Sequence, residues 1–181
     1  SYTWHRIQPG APLIARSAVQ TRAYGKMPHD WGAHFASTPV FLEDEIRIYY
    51  GASDWYFFDW RKGHLCLATL RPDGWAGYEQ VEASKPASIS TAPLICSGDQ
   101  LQISADVDVG GKVVVRVFDN RNELAQSNPI IGTVSDGVVR WPKDFSLDKF
   151  AGRQLRLNFE LTQAKLFSFR FEDGGSAKPS N

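Results

Sequence analysis

Net charge is the first thing this chain lacks: among 181 residues, 20 Lys and Arg balance 20 Asp and Glu. A nucleic-acid partner is therefore not expected, because phosphate binding calls for a basic excess or a clustered basic face. No apolar run approaches the roughly 20 residues a membrane span requires, so a soluble protein without a membrane partner is expected. Cysteine is scarce, with only Cys66 and Cys96. No Cys-x-x-Cys or Cys-His spacing accompanies them, which argues against a cysteine metal centre. Each thiol sits in an apolar, strand-like run, where a free thiol packs as a small hydrophobe; one disulfide between them is the alternative. Helical periodicity is almost missing, and residues 147–151 allow at most one turn. The chain begins at Ser1 with neither Met nor a basic-then-apolar leader, so any signal peptide is expected either to have been removed or never to have been part of this sequence.

What is present is strand alternation. Ile46, Ile48 and Tyr50 alternate with Arg47 and Tyr49, the period of a strand with one buried face. A tight turn at Glu43-Asp44 joins that run to Pro39-Val40-Phe41-Leu42. Residues 64–70 form the next strand, and Arg71-Pro72-Asp73-Gly74 makes a turn that delivers 75–78 as its partner. Residues 38–81 thus read as an antiparallel meander the size of a propeller blade. After Lys85-Pro86, the expected junction, Leu101, Ile103, Ala105 and Val107 alternate with polar residues. Gly110-Gly111 reads as a turn, and Val113, Val115 and Val117 follow on one side. Residues 136–141, 154–161 and 167–171 read as further strands. The expected fold is all-β: a blade-like meander within residues 1–86, an antiparallel, jelly-roll-like β-sandwich over 87–172, and a disordered tail at 173–181.

The densest chemistry lies in one loop. Asp54-Trp55-Tyr56-Phe57-Phe58-Asp59-Trp60 places five aromatic rings and two carboxylates between two strand-like runs. Flat rings beside carboxylates suit a sugar, whose apolar face stacks on indole or phenol while its hydroxyls donate to Asp oxygens. Burial in a core or a subunit contact is the competing reading. The expected ligand-binding residues are Trp31, Asp54, Trp55, Tyr56, Asp59, Trp60 and Trp75.

Three stretches, residues 46–51, Leu67-Ala68-Thr69-Leu70-Arg71-Pro72-Asp73-Gly74-Trp75 and Ser90-Thr91-Ala92-Pro93-Leu94, have an order and spacing that resemble the C-terminal part of bacterial proteins related to glycoside hydrolase families 32 and 43. The likeness continues through Leu101 to Asp108, Gly110-Gly111-Lys112-Val113, Trp141, Gly152-Arg153 and residues 166–171, so that it spans about 30–172. The resemblance implies a catalytic propeller with an appended β-sandwich. The Arg-Asp-Pro and Glu-Cys motifs of such enzymes are missing here, and Arg71-Pro72-Asp73 has the wrong order in a hairpin turn. The chain looks like the last blade and the sandwich, without the catalytic centre.

The leading expectation is a noncatalytic polysaccharide-binding module, derived from or attached to a glycoside hydrolase, secreted and thus extracellular or periplasmic. The first alternative is an enzyme. Glycoside hydrolysis needs two carboxyl groups roughly 5–10 Å apart, and Asp30, Asp54 and Asp59 are the candidates. A structural, oligomer-forming domain is the other alternative, with a homodimer or a larger parent enzyme covering the open blade. No metal or other cofactor is expected. The weaker metal readings are His29 and His34 with Asp30, His5 or His64 for zinc or copper, and Asp106, Asp108, Asp119 and Asn120 for calcium. Surface or hydrogen-bonded histidines are the preferred reading of the first group, and Asp in tight β-turns explains the second equally well.

Overall fold

The computed structural model of the chain describes residues 10–17, 27–56 and 61–174. The chain divides between Trp75 and Ala76 into two compact units, ahead of the Lys85-Pro86 junction expected from sequence.

The first unit is built on β3 (Ile46–Ser53), whose even-numbered side chains Ile46, Ile48, Tyr50 and Ala52 are buried, as the alternation predicts. One edge of β3 pairs along its whole length with β4 (Gly63–Leu70), from Ile46↔Leu70 to Ser53↔Gly63. The other edge is shared by β1 (Ala33–Ala36) and β2 (Val40–Phe41), both antiparallel. The expected turn at Glu43-Asp44 is closed by Leu42 N–H donating to the Glu45 carbonyl at 2.9 Å.

The fourth strand of this meander differs from expectation. It is β1, which lies ahead of the expected meander of residues 38–81, and not residues 75–78. A central strand with two free edges takes whatever extended backbone lies beside it, and Ala33-His34-Phe35-Ala36 needs no strong β propensity to serve. Downstream, β5 (Tyr78–Glu79) pairs instead with Leu166 and Lys165 of β11 (Gln154–Glu172), a long strand of the second unit. That pairing is why the boundary falls before Tyr78.

In the second unit, β6 (Ala87–Ser90) and β7 (Leu94–Ile95) also pair with β11. β8 (Gln100–Asp119) lies on the other side of β11 and carries β9 (Asn122–Gln126) and β10 (Val134–Val138) on its far edge. Gly110-Gly111 is therefore not a hairpin turn, and 154–161 and 167–171 are one strand. At the centre of the ribbon, Lys112 pairs with Thr162 and Val107 with Ala164, so residues 108–111 bulge opposite Gln163. Gly110 takes φ +82°, and a Cβ on Gly111 would lie 2.4 Å from the Gln163 carbonyl oxygen. Glycine is required here to bend a strand, not to reverse it.

The bend keeps one parity buried on both halves. Leu101, Ile103, Ala105 and Val107 share a core with Val113, Val115, Val117, Leu155, Leu157, Phe159 and Leu161. Phe159 from one half and Phe169 from the other meet at 5.1 Å between ring centroids. The result is an all-β, antiparallel sandwich not closed into a barrel. The expected single turn forms at Leu147–Phe150, with Leu147 fully buried and Trp141, Phe145 and Phe150 beside the core. Both cysteines are free thiols, Cys66 half-buried and Cys96 fully buried. The tail expected to be disordered lies, from residue 175, outside the described residues.

Candidate functional site

The aromatic loop leaves β3 at Ser53 and re-enters β4 at Gly63, and its neck is closed by Asp54. The Asp54 N–H donates to the Lys62 carbonyl at 3.4 Å, and the Lys62 N–H donates to Asp54 Oδ1 at 2.8 Å. Next to it, the Ser53 hydroxyl donates to the Trp55 carbonyl at 3.0 Å. Gly32 lies hard against this neck, its N–H donating to the Ser53 carbonyl at 2.7 Å. A Cβ at position 32 would fall 1.7 Å from the Trp55 carbonyl oxygen, so only glycine permits the approach.

That approach assembles three rings. Trp31 stacks on Trp55 at 5.6 Å and 26°, Tyr56 meets Trp31 edge-on at 4.9 Å, and Trp55 and Tyr56 are 5.3 Å apart. The Arg16 guanidinium carbon sits 5.7 Å from the Trp31 ring centroid, within cation–π range. Trp31 and Trp55 are half-buried, and Tyr56 is 46% exposed. The cluster is thus a ledge with one open ring and two partly open ones.

Just ahead of β1, and on β1 and β4 themselves, lies a polar group of a different kind. Asp30 is 1% exposed, and the Ser17 N–H donates to both of its oxygens, at 3.0 and 2.8 Å. His29 and His34 bring Nε2 to 4.0 and 3.9 Å from Asp30 Oδ2. His34 Nε2 also lies 2.7 Å from the Asp30 carbonyl oxygen; a carbonyl only accepts, so this nitrogen carries the hydrogen. His29 meets His64 edge-on at 5.6 Å, and His34 and His64 flank Ala52 in register across three strands. Tyr50 lies 5.4 Å from His34, and burial first, then Cys66 and Asp30, push its phenol above the ordinary value.

These environments bear on chemistry. Asp30 is clamped by backbone and closed to solvent. Asp54 is 4% exposed, with Oδ1 engaged by Lys62 and Oδ2 buried without a hydrogen-bond partner among the described residues, as is His64 Nε2. Both carboxylates are thus closed to solvent, with both Asp30 oxygens and Asp54 Oδ1 engaged by backbone N–H groups. Among the described residues no group of three His, Cys, Asp or Glu side chains is arranged to hold a metal ion. Asp119, one of the calcium candidates, pairs instead with Arg153 and accepts from Asn120 Nδ2 at 3.1 Å.

Of the expected ligand residues, Trp31, Trp55 and Tyr56 come together around Asp54. Asp59 and Trp60 lie outside the described residues, as does His5. Trp75 is not part of the cluster: its ring is 6.5 Å from Phe41, and Phe41 pairs with Ile46, at the opposite end of β3 from Ser53. Seven strand steps separate those ends, about 23 Å. Sequence reasoning missed Gly32, Ser53, Lys62 and Ser17, which position the rings and carboxylates through backbone groups. Only Gly32, a glycine between Trp31 and His34, leaves a trace in the sequence.

No family model matches this chain, and neither curated proteins nor solved structures provide a match.

Proposed function

We propose that the first unit binds a polysaccharide without cleaving it, through a ledge formed by Trp31, Trp55 and Tyr56. The observation that carries the reading is the ring cluster itself: three aromatic side chains within 6 Å of one another, one of them open to solvent, on a loop whose neck is fixed by backbone hydrogen bonds. A preformed ledge limits the ordering entropy that binding would otherwise incur. Each ring-to-sugar contact is worth about 0.5–1.5 kcal/mol by analogy with aromatic pairs, so two or three give about 1–4.5 kcal/mol, binding no tighter than about the millimolar range. The closed environments of Asp30 and Asp54 support the noncatalytic form of the reading. Origin as the end of a glycoside hydrolase, and an extracellular or periplasmic location, belong to the same proposal.

Affinity electrophoresis over a panel of soluble glycans tests it. At least one glycan should retard the protein, and Tyr56→Ala, a change at an exposed ring, should remove that retardation without altering the melting temperature. Retardation by no glycan, or retardation indifferent to both Tyr56→Ala and Trp31→Ala, rejects the ledge.

A second reading, self-association that covers the open sheet, is favoured by one observation. On the odd-numbered face of the first sheet Phe35 is 62%, Leu65 83%, Leu67 49% and Tyr49 38% exposed. Phe35, Gly51 and Leu65 share one row of the register, and Tyr49 and Leu67 the next. Light scattering of the wild type against Leu65→Lys decides this reading: a dimer that the substitution dissolves supports it, and a wild-type monomer ends it.

A further inference from the structure

A hollow of about 300 Å³ lies in the second unit, lined by Pro93, Asn120, Arg121, Gln154, Leu155 and Arg156. Its position follows from the sheet order. Phe118 of β8 pairs with Glu123 of β9 on one side and with Arg156 of β11 on the other. The two-residue turn between Asp119 and Asn122, with Asn120 at φ +56°, therefore stands beside the first residues of β11. Leu155 is 1% exposed and forms a floor, while Gln154 and Arg156, flanking it in the alternation, point to the outer face.

The charges in this hollow are unbalanced. Of the four other arginines in the same unit, three meet carboxylates: Arg116 with Glu160 at 3.3 Å, Arg153 with Asp119, and Arg170 with Asp136 at 3.3 Å. Arg121 and Arg156 have no such partner among the described residues. Asp119, the carboxylate of the turn, is already taken by Arg153 and Asn120. Two guanidinium forks without a carboxylate partner and the Gln154 amide thus share one concavity that no Asp or Glu lines among the described residues. A guanidinium fork matches the two oxygens of a carboxylate or sulfate, and the volume is at the lower end of ligand pockets, about 300–1,000 Å³. Pro93 supplies an apolar wall for the body to which such a group is attached.

We propose that this hollow binds an oxyanion group, a carboxylate or sulfate, held between Arg121 and Arg156. The hollow belongs to the second unit, and the proposal does not depend on the reading of the ledge. The oxyanion comes either as a free small anion or as part of an acidic sugar in a polymer.

Titration calorimetry on the whole chain at low salt, with sulfate, acetate, glucuronate and polygalacturonate as probes and an uncharged glucan as control, separates the two. Binding of sulfate or acetate alone identifies a free anion. Tighter binding of glucuronate or polygalacturonate identifies an acidic saccharide, and either result supports the site. Arg121→Gln and Arg156→Gln should each weaken the bound probe about tenfold or more, since hydrogen bonds to charged groups are the strong ones. Arg156→Lys, which keeps the charge and loses the fork, should recover only part of that loss. Both arginines are exposed, so these variants should melt with the wild type. The proposal is overturned if no anionic probe binds more tightly than about 10 mM, or if both Gln variants bind as the wild type does. Any response to the neutral glucan reports on the ledge, and these variants leave it unchanged.

Discussion

Gly32→Ala puts the geometry of the ledge to a quantitative test. A Cβ at this position would lie 1.7 Å from the Trp55 carbonyl oxygen, 2.5 Å from its carbon and 2.9 Å from Ser53 Oγ. Ordinary C···O contacts begin near 3.3 Å, so the two segments must part by roughly 1.6 Å. The Gly32–Ser53 hydrogen bond of 2.7 Å then stretches past bonding range. Overpacking typically costs 1–3 kcal/mol and the hydrogen bond about 0.5–1.5 kcal/mol, so the first unit should lose about 2–4 kcal/mol. For a unit of this size that lowers the melting temperature by at least about 8 °C. Tryptophan fluorescence in a denaturant titration reads the first unit selectively, since Trp4, Trp31, Trp55, Trp60 and Trp75 lie in it and Trp141 alone in the second. Gly51→Ala is the control, because a Cβ there meets nothing within 4 Å. If Gly32→Ala melts with the wild type, or no lower than Gly51→Ala, the close approach that assembles the rings is wrong.

Other outcomes follow from the second unit and from the titrating groups. Phe159→Ala removes a fully buried ring in contact with Phe169 and should cost about 3–5 kcal/mol in chemical denaturation of the sandwich; a loss under 1 kcal/mol would deny that the two halves of the ribbon face one another. Cys96 is fully buried, and burial pushes its thiol above the ordinary 9.0. Below pH 9.0 folded and unfolded thiols both hold the proton and the contribution is complete; above it the unfolded thiol ionises first, and stability falls by up to about 1.4 kcal/mol per pH unit until the folded thiol titrates as well. Cys96→Ala should flatten that alkaline decline, as followed by denaturation at pH 8 to 10. The raised Tyr50 phenol has the same sign, so Tyr50→Phe should flatten a further decline of the first unit above pH 10.0.

The architecture was legible where one face of a strand is buried throughout. Ile46, Ile48 and Tyr50, and Leu101, Ile103, Ala105 and Val107, read correctly because alternation records burial residue by residue. Gly110-Gly111 misled because two glycines license either a reversal or a bend, and local sequence does not distinguish them. The decision rests with β11, whose continuous backbone pairs with both halves of β8. β1 was invisible for a similar reason: Ala33-His34-Phe35-Ala36 becomes a strand through the free edge of β3, not through its own propensity. Within the site, the ring types identified the loop, but the order of contacts came from Gly32, Ser53 and Lys62, whose backbone groups carry no side-chain signal.

Asp54 shows how a sequence reading and a structure assign different work to the same carboxylate. Beside five rings, Asp54 reads as an acceptor for sugar hydroxyls. In the fold it is 4% exposed, its Oδ1 ties the neck through Lys62, and its Oδ2 meets no donor among the described residues. Two substitutions separate these roles. Asp54→Asn keeps an oxygen for the Lys62 N–H and removes a buried charge, so the neck stays closed and stability is held or slightly raised. Asp54→Ala leaves the Lys62 N–H without an acceptor, at about 1–3 kcal/mol, and releases the loop that carries Trp55 and Tyr56. If the carboxylate is scaffold, Asp54→Asn retains glycan retardation and Asp54→Ala loses it together with several degrees of melting temperature. If Asp54→Asn abolishes retardation while melting as the wild type does, the carboxylate touches the ligand directly, and the neck must open to let a hydroxyl reach it.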